Sequence, residues 1–167
     1  MTNSLLKHVS GSIDRLTNGL GHLSCFAIFA MTALQVCTVV YRYVFQEGSI
    51  ALQESALYAH AIAFMLAMGF CLKHDQHVRV DIFYKQLPTR TKRLINTLGF
   101  FLAILPFCIT LIIVGIPFVD MAWSIQEKSS EAGGLAHLYI LKSLVIIMPI
   151  TLLISASNQL LKDWLDD

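Results

Sequence analysis

Charge is missing from most of this chain. No Asp, Glu, Lys or Arg occurs in residues 16–41, 55–72, 94–119 or 143–161. Only 14% of the 167 residues are charged, against roughly 25% in an ordinary soluble domain. A water-soluble four-helix bundle is excluded, because each of its helices would turn a polar face outward and these segments have none to turn. Acids are absent from the centres of all four runs, which argues against a proton- or sodium-coupling site lying wholly in this chain and therefore against an autonomous carrier.

Several kinds of chemistry are missing as well. Cys25, Cys37, Cys71 and Cys108 have no C-x-x-C spacing and none lies directly beside a histidine, so they read as small core residues. There is no glycine-rich phosphate loop, no Ser-His-Asp order and no carboxylate pair within the runs. An enzyme is not expected, nor a metal site, a cofactor bound by this chain or a nucleic-acid partner. Haem is the one cofactor that a small four-helix membrane protein commonly holds, which makes a haem-binding membrane anchor of a respiratory enzyme the rival reading. Bis-histidine ligation needs two ligands at one depth on facing helices. His22 and His60 are the only histidines well inside the runs, and an alternating topology puts them near opposite membrane faces.

What is present is apolar length. Hydrophobic residues make up 56% of the chain, and the first run alone is 26 residues long, where a helix needs about 20 to cross a hydrocarbon core. In lipid every backbone amide must be satisfied within its own segment, and the runs lack the alternation of barrel strands. The expected fold is an all-α membrane protein with four transmembrane helices at about 17–41, 54–72, 95–119 and 138–161, forming one domain over 1–167. The first run is too long for a signal-peptide core and lacks a small-residue cleavage pattern, so it belongs to the mature protein.

The charges that do occur are unevenly placed. Lys7, Arg15, Lys73, Arg79, Lys85, Arg90, Lys92, Arg93 and Lys162 fall in the tails and the loop between the second and third spans, against only Arg42, Lys128 and Lys142 on the other side. By the positive-inside rule both termini and the basic loop face the cytoplasm. Tyr41, Tyr43, Trp123 and Trp164 lie at span ends, where amphipathic rings prefer the interface. Pro106, Pro117 and Pro149 fall inside spans, yet no inverted pair of interrupted segments marks a midplane binding site.

Two non-spanning stretches carry a pattern. Val80, Phe83, Tyr84 and Leu87 recur at i, i+3, i+4 and i+7 with Lys85 and Gln86 off the stripe, which predicts an interfacial helix at about 79–87 lying against membrane lipids. Leu5, Leu6, Val9, Ile13 and Leu16 suggest a second approach helix of the same kind. On the opposite side the segment 127–135 ends in Gly133 and Gly134, which permit left-handed backbone or close approach of another chain. Lys142 follows about two turns later and is expected to snorkel outward or to meet Glu54 or Glu131.

Taken together, Gln53-Glu54, Phe64-Met-Leu-Ala-Met-Gly-Phe-Cys-Leu-Lys73, His77-Val-Arg-Val-Asp-Ile-Phe-Tyr84, Leu87-Pro88, Leu105-Pro-Phe107, Pro117-Phe-Val119, Trp123, Glu127-Lys-Ser129, Gly133-Gly-Leu135 and Leu141-Lys-Ser143 resemble a known family. It is the small membrane (Q) subunit of tripartite ATP-independent periplasmic (TRAP) transporters. The resemblance runs from about Gln53 to Trp164. It departs at Leu52-Gln53-Glu54-Ser55, where relatives carry Trp and two acids, and at Gln76 and Ala136.

The resemblance implies a sodium-driven importer of a small organic acid in the bacterial inner membrane. A periplasmic substrate-binding protein captures the acid, and a large membrane subunit binds sodium and carries both across by an elevator movement. The small subunit packs beside the large one as static scaffold. Lys73, His77, Arg79 and Asp81 would then fix the turn into the interfacial helix, while Glu54, Glu131, Gly133, Gly134 and Lys142 would organise the outer face. A cysteine placed at Gln126, in a background without the four native cysteines, is expected to react with a membrane-impermeant thiol reagent only from the periplasmic side; labelling confined to the cytoplasmic side would reverse the topology.

Overall fold

A computed structural model describes residues 2–74 and 87–165, with side chains over 8–74 and 87–164. Among the described residues every regular element is helical. Helix α1 is Thr2–Val44, α2 is Ile50–Lys73, α3 is Thr89–Gly99, α4 is Leu105–Ser124 and α5 is Leu138–Leu165. A π-helical turn, Phe100–Ile104, joins α3 to α4 without a break, so that Thr89–Ser124 is one continuous rod. Four helices among the described residues are long and apolar enough to cross a membrane.

The N-terminal stretch differs from the expected separate approach helix. It is the first part of α1, whose 43 residues reach about 64 Å at 1.5 Å per residue. Nothing between residues 9 and 20 stops a helix: Gly11 and Gly19 are isolated and no proline occurs. The predicted interfacial helix lies outside the described residues except for Leu87, which is half-buried at the bend before Pro88.

Local chemistry explains the remaining boundaries. Ser49 has extended backbone and its hydroxyl oxygen accepts the Leu52 N–H at 3.3 Å, capping α2. Pro88, also extended, opens α3. The π turn stands immediately before Pro106, which has no N–H to offer and whose ring crowds the carbonyl four residues back; widening the turn relieves that clash. Pro149 is instead absorbed within α5, fully buried.

The helices run alternately up and down and pack as a row. α1 lies on α2, α2 on α5, and α5 on α4, so the last helix sits between the second and third spans. Small residues make the seams. Ser10, Thr17, Gly21, Ser24 and Ala27 are the buried positions of α1, spaced by seven, four, three and three, and Phe70 of α2 seats over Gly21. On α2 a β-carbon at Gly69 would stand 2.7 Å from Ser155 Oγ and 3.2 Å from the Thr151 carbonyl of α5. Leu72, Cys108, Leu152 and Ala156 form the core where α2, α4 and α5 converge, with Met68, Phe100, Ile104 and Leu153 around it.

Cys108 is therefore a core residue as expected, but Cys25 and Cys37 are not: they lie on the exposed face of α1. A row, unlike a closed bundle, leaves its two end helices uncovered on one side. Gly69→Leu is expected to force α2 from α5 and to cost roughly 1–3 kcal/mol, read as a lower thermal transition of the purified protein in detergent.

Candidate functional site

At the end that carries the termini, three helices meet on one carboxylate. Asp14 of α1 accepts a hydrogen bond from Lys162 of α5 at 2.6 Å and lies 3.4 Å from Lys73 at the end of α2. Lys73 also donates to Asn18 Oδ1 at 2.7 Å and to the Asp14 carbonyl at 3.2 Å, while Asn158 of α5 donates its amide to Asp14 at 3.1 Å. The three charged side chains are 17–32% exposed, so water and salt screen them less than an open surface pair. One turn further in, the hydroxyls of Thr17 and Ser155 meet at 3.0 Å. Asn96 of α3 reaches Asp163 of α5 at 2.8 Å. α1, α2, α3 and α5 are thus tied at this end.

The opposite end is organised by a folded loop. Glu54, in the first turns of α2, accepts the Leu135 N–H at 2.6 Å and the Ser129 hydroxyl. Ser129 N–H donates to the Leu135 carbonyl at 3.0 Å, and Gly134 N–H to the Glu131 carbonyl at 3.0 Å. Gly133 has φ +83°, which a side chain disfavours, and a β-carbon on Gly134 would collide with Ser129 and Glu54. The glycine pair is therefore needed twice, once for its backbone and once for its thinness. Glu131 is exposed and contributes through its main chain.

Lys142 does not pair with Glu54 or Glu131. It donates to Glu127 at 2.5 Å and stands 4.3 Å from the centroid of the Phe118 ring. The reason is the row: the face of α5 bearing Lys142 packs on α4, so the acid within reach is the one just past the end of α4, while Glu54 on α2 is already engaged by the loop. Beside this pair the Trp123 indole donates to Ser143 at 2.9 Å and its ring meets Tyr139 edge-on at 4.8 Å.

Of the residues singled out in the sequence, Glu54, Gly133 and Gly134 come together, Lys142 sits on the neighbouring seam, and Lys73 joins the other end. His77, Arg79, Asp81, Val80, Phe83 and Tyr84 lie outside the described residues. Asp14, Asn18, Asn158 and Lys162 were missed, although a signal exists: Asp14 and Asn18 share a face with Thr17 where the first uncharged run begins, and Asn158 and Lys162 stand four apart at the close of the last. His22 and His60 are both exposed. Gly21 packs level with Phe70, and ten residues separate Phe70 from His60, about 15 Å of helix.

Two outcomes follow. Asp14→Ala leaves two ammonium groups facing each other without their shared acceptor and is expected to lower the thermal transition, by roughly 1–3 kcal/mol, with Asp14→Asn intermediate. Glu54→Ala is expected to free the segment 129–135, seen as faster amide hydrogen exchange there with α5 unchanged.

A search among curated proteins finds no match. A family model described as tripartite ATP-independent periplasmic transporters, DctQ component, matches residues 31–166. It takes in the C-terminal part of α1, the Glu54 loop and all of α2, α3, α4 and α5, while Asp14 and the buried seam positions of α1 precede it. With most of its length covered and four helices able to cross a membrane, this chain belongs to the DctQ component family of tripartite ATP-independent periplasmic transporters.

Proposed function

We propose that the chain is the static scaffold subunit of a sodium-driven importer for a small organic acid. It stands in the bacterial inner membrane with both termini in the cytoplasm, and the large membrane subunit beside it binds sodium and substrate. The outer loop held by Glu54 helps to dock the periplasmic substrate-binding protein. The observation that supports this reading best is that charge is used at both ends to tie helices together. Asp14 draws in Lys73 and Lys162 at one end, and Glu54 and Glu127 engage the outer loop and Lys142 at the other. A moving carrier needs a wall that does not move with it, and a row pinned at both ends suits that task.

Its flanks suit it too. Phe26 and Phe29 of α1 are 69% and 73% exposed, and Ile113, Val114 and Met121 of α4 are about two-thirds exposed. These apolar faces accept lipid or the apolar surface of a large membrane partner. The basic loop and tails orient the row.

The decisive experiment joins co-purification with transport. The chain is expected to co-purify with the large subunit, and the pair with its binding protein in proteoliposomes to take up acid only under an inward sodium gradient. Lys142→Ala is expected to lower that uptake several-fold by loosening the outer seam. Uptake by this chain alone, or a Soret band in the purified protein, would sink the scaffold reading.

A further inference from the structure

The last turns of α1 and the first turn of α2 enclose polar side chains that none of the ties above uses. Gln35, Thr38, Val39, Arg42 and Tyr43 of α1, with Gln53 of α2, line an open cleft of about 350 Å³. Gln35, Thr38 and Arg42 follow one another at three and four residues, so they share a helix face. With Arg42 at the membrane boundary, Gln35 lies about 10 Å deeper at 1.5 Å per residue.

Among the described residues Arg42 meets no carboxylate, and the side-chain carboxamides of Gln35 and Gln53 have no hydrogen-bond partner. Arg42 is not required to finish α1. The Gln46 side chain, on a residue with φ 59°, already donates to the Tyr43 carbonyl at 2.8 Å, and the Phe45 N–H to the Tyr41 carbonyl at 3.2 Å. Nor does Glu47 serve Arg42, since it accepts from the Tyr41 hydroxyl at 2.8 Å and does not line the cleft.

Gln35 is the more demanding group. It is exposed, and an exposed carboxamide at that depth is costly when only hydrocarbon surrounds it. Acyl tails cannot accept its N–H groups, but the ester carbonyls of a glycerolipid can, and they lie below the phosphate as Gln35 lies below Arg42. Thr38 gives its hydroxyl proton to the Leu34 carbonyl at 2.8 Å, leaving an acceptor oxygen in the cleft. Val39 and the Tyr43 ring supply an apolar wall.

We propose that this cleft is a binding site for the glycerophosphate part of a net-anionic phospholipid in the leaflet on the α1–α2 loop side. Arg42 holds the phosphodiester, and Gln35 and Gln53 donate to the ester carbonyls. The single cation matches one phosphodiester charge. No acid lines the cleft to receive a headgroup ammonium, so phosphatidylglycerol is preferred over phosphatidylethanolamine. The proposal rests on α1 crossing the membrane, not on the transport role, and either reading can fail without the other.

Native mass spectrometry of the full chain in detergent, titrated with phosphatidylglycerol or phosphatidylethanolamine, tests it. The parent is expected to retain one phosphatidylglycerol more strongly than phosphatidylethanolamine. Arg42→Gln is expected to retain it about tenfold less, as loss of one charge-assisted hydrogen bond implies. Gln35→Leu should weaken retention several-fold, while Arg42→Lys keeps most of it. Lys128→Gln removes an equal charge from the same side and should behave as the parent; a matching thermal transition checks each variant's fold. Equal retention of the two lipids, equal retention by Arg42→Gln and parent, or displacement by millimolar glycerol phosphate would overturn the proposal. So would loss of the lipid when the large subunit is bound, because a protein segment would then fill the cleft.

Discussion

In hydrocarbon an apolar side chain gains nothing by turning inward, since lipid tails are as apolar as a leucine core. The helices of this chain must be held by what lipid cannot offer, which is close backbone approach and hydrogen-bonded charge. Both appear, in different places. Along the seams glycine, alanine, serine and threonine let the backbones approach, with a few large side chains such as Phe70, Leu72 and Leu152 packed between them, while many others are left outside. At the ends, where the helices leave the apolar layer, carboxylates take over, and Asp14 alone gathers groups from α2 and α5.

That division explains the shape. A seam of small residues is narrow, so the four rods line up as a row with α5 between α2 and α4, and α1 reaches α5 around Asp14 and Thr17. The ties at the ends then stop the row from shearing. A partly exposed ion pair in water contributes little, but the Asp14 group also takes two carboxamides out of competition and joins three helices at one level. The loop held by Glu54 works in the same way, with the carboxylate satisfying a backbone amide that a loose turn would leave to solvent.

A membrane component whose large apolar side chains point outward has its partners and lipids as its remaining packing surface. The flank of α1 offers Phe26 and Phe29, and the rod of α4 offers Ile113, Val114 and Met121, to whatever covers them. Within such surfaces a lone polar group stands out, because it has no reason to be there unless something meets it. Gln35 and Arg42 are such groups, whereas Lys142 and Lys73 are not, having found their acids and amides within the chain.

The residue string by itself determined the class of this protein. The length of the uncharged runs and their lack of alternation require helices, and the quoted motifs were enough to point to the family. It also showed the interface aromatics and the special standing of Glu54, the glycine pair and Lys142, because charges and glycines at span ends are rare enough to be noticed. Only the tertiary structure decided which partner each of them takes. Lys142 goes to Glu127 because α5 packs on α4, and the order of helices in a row is set by small-residue seams whose hydropathy differs little from that of the faces beside them. Asp14 stayed unnoticed for a related reason: it reads as an ordinary tail acid until α2 and α5 fold back, 59 and 148 residues later, and bring their lysines to it.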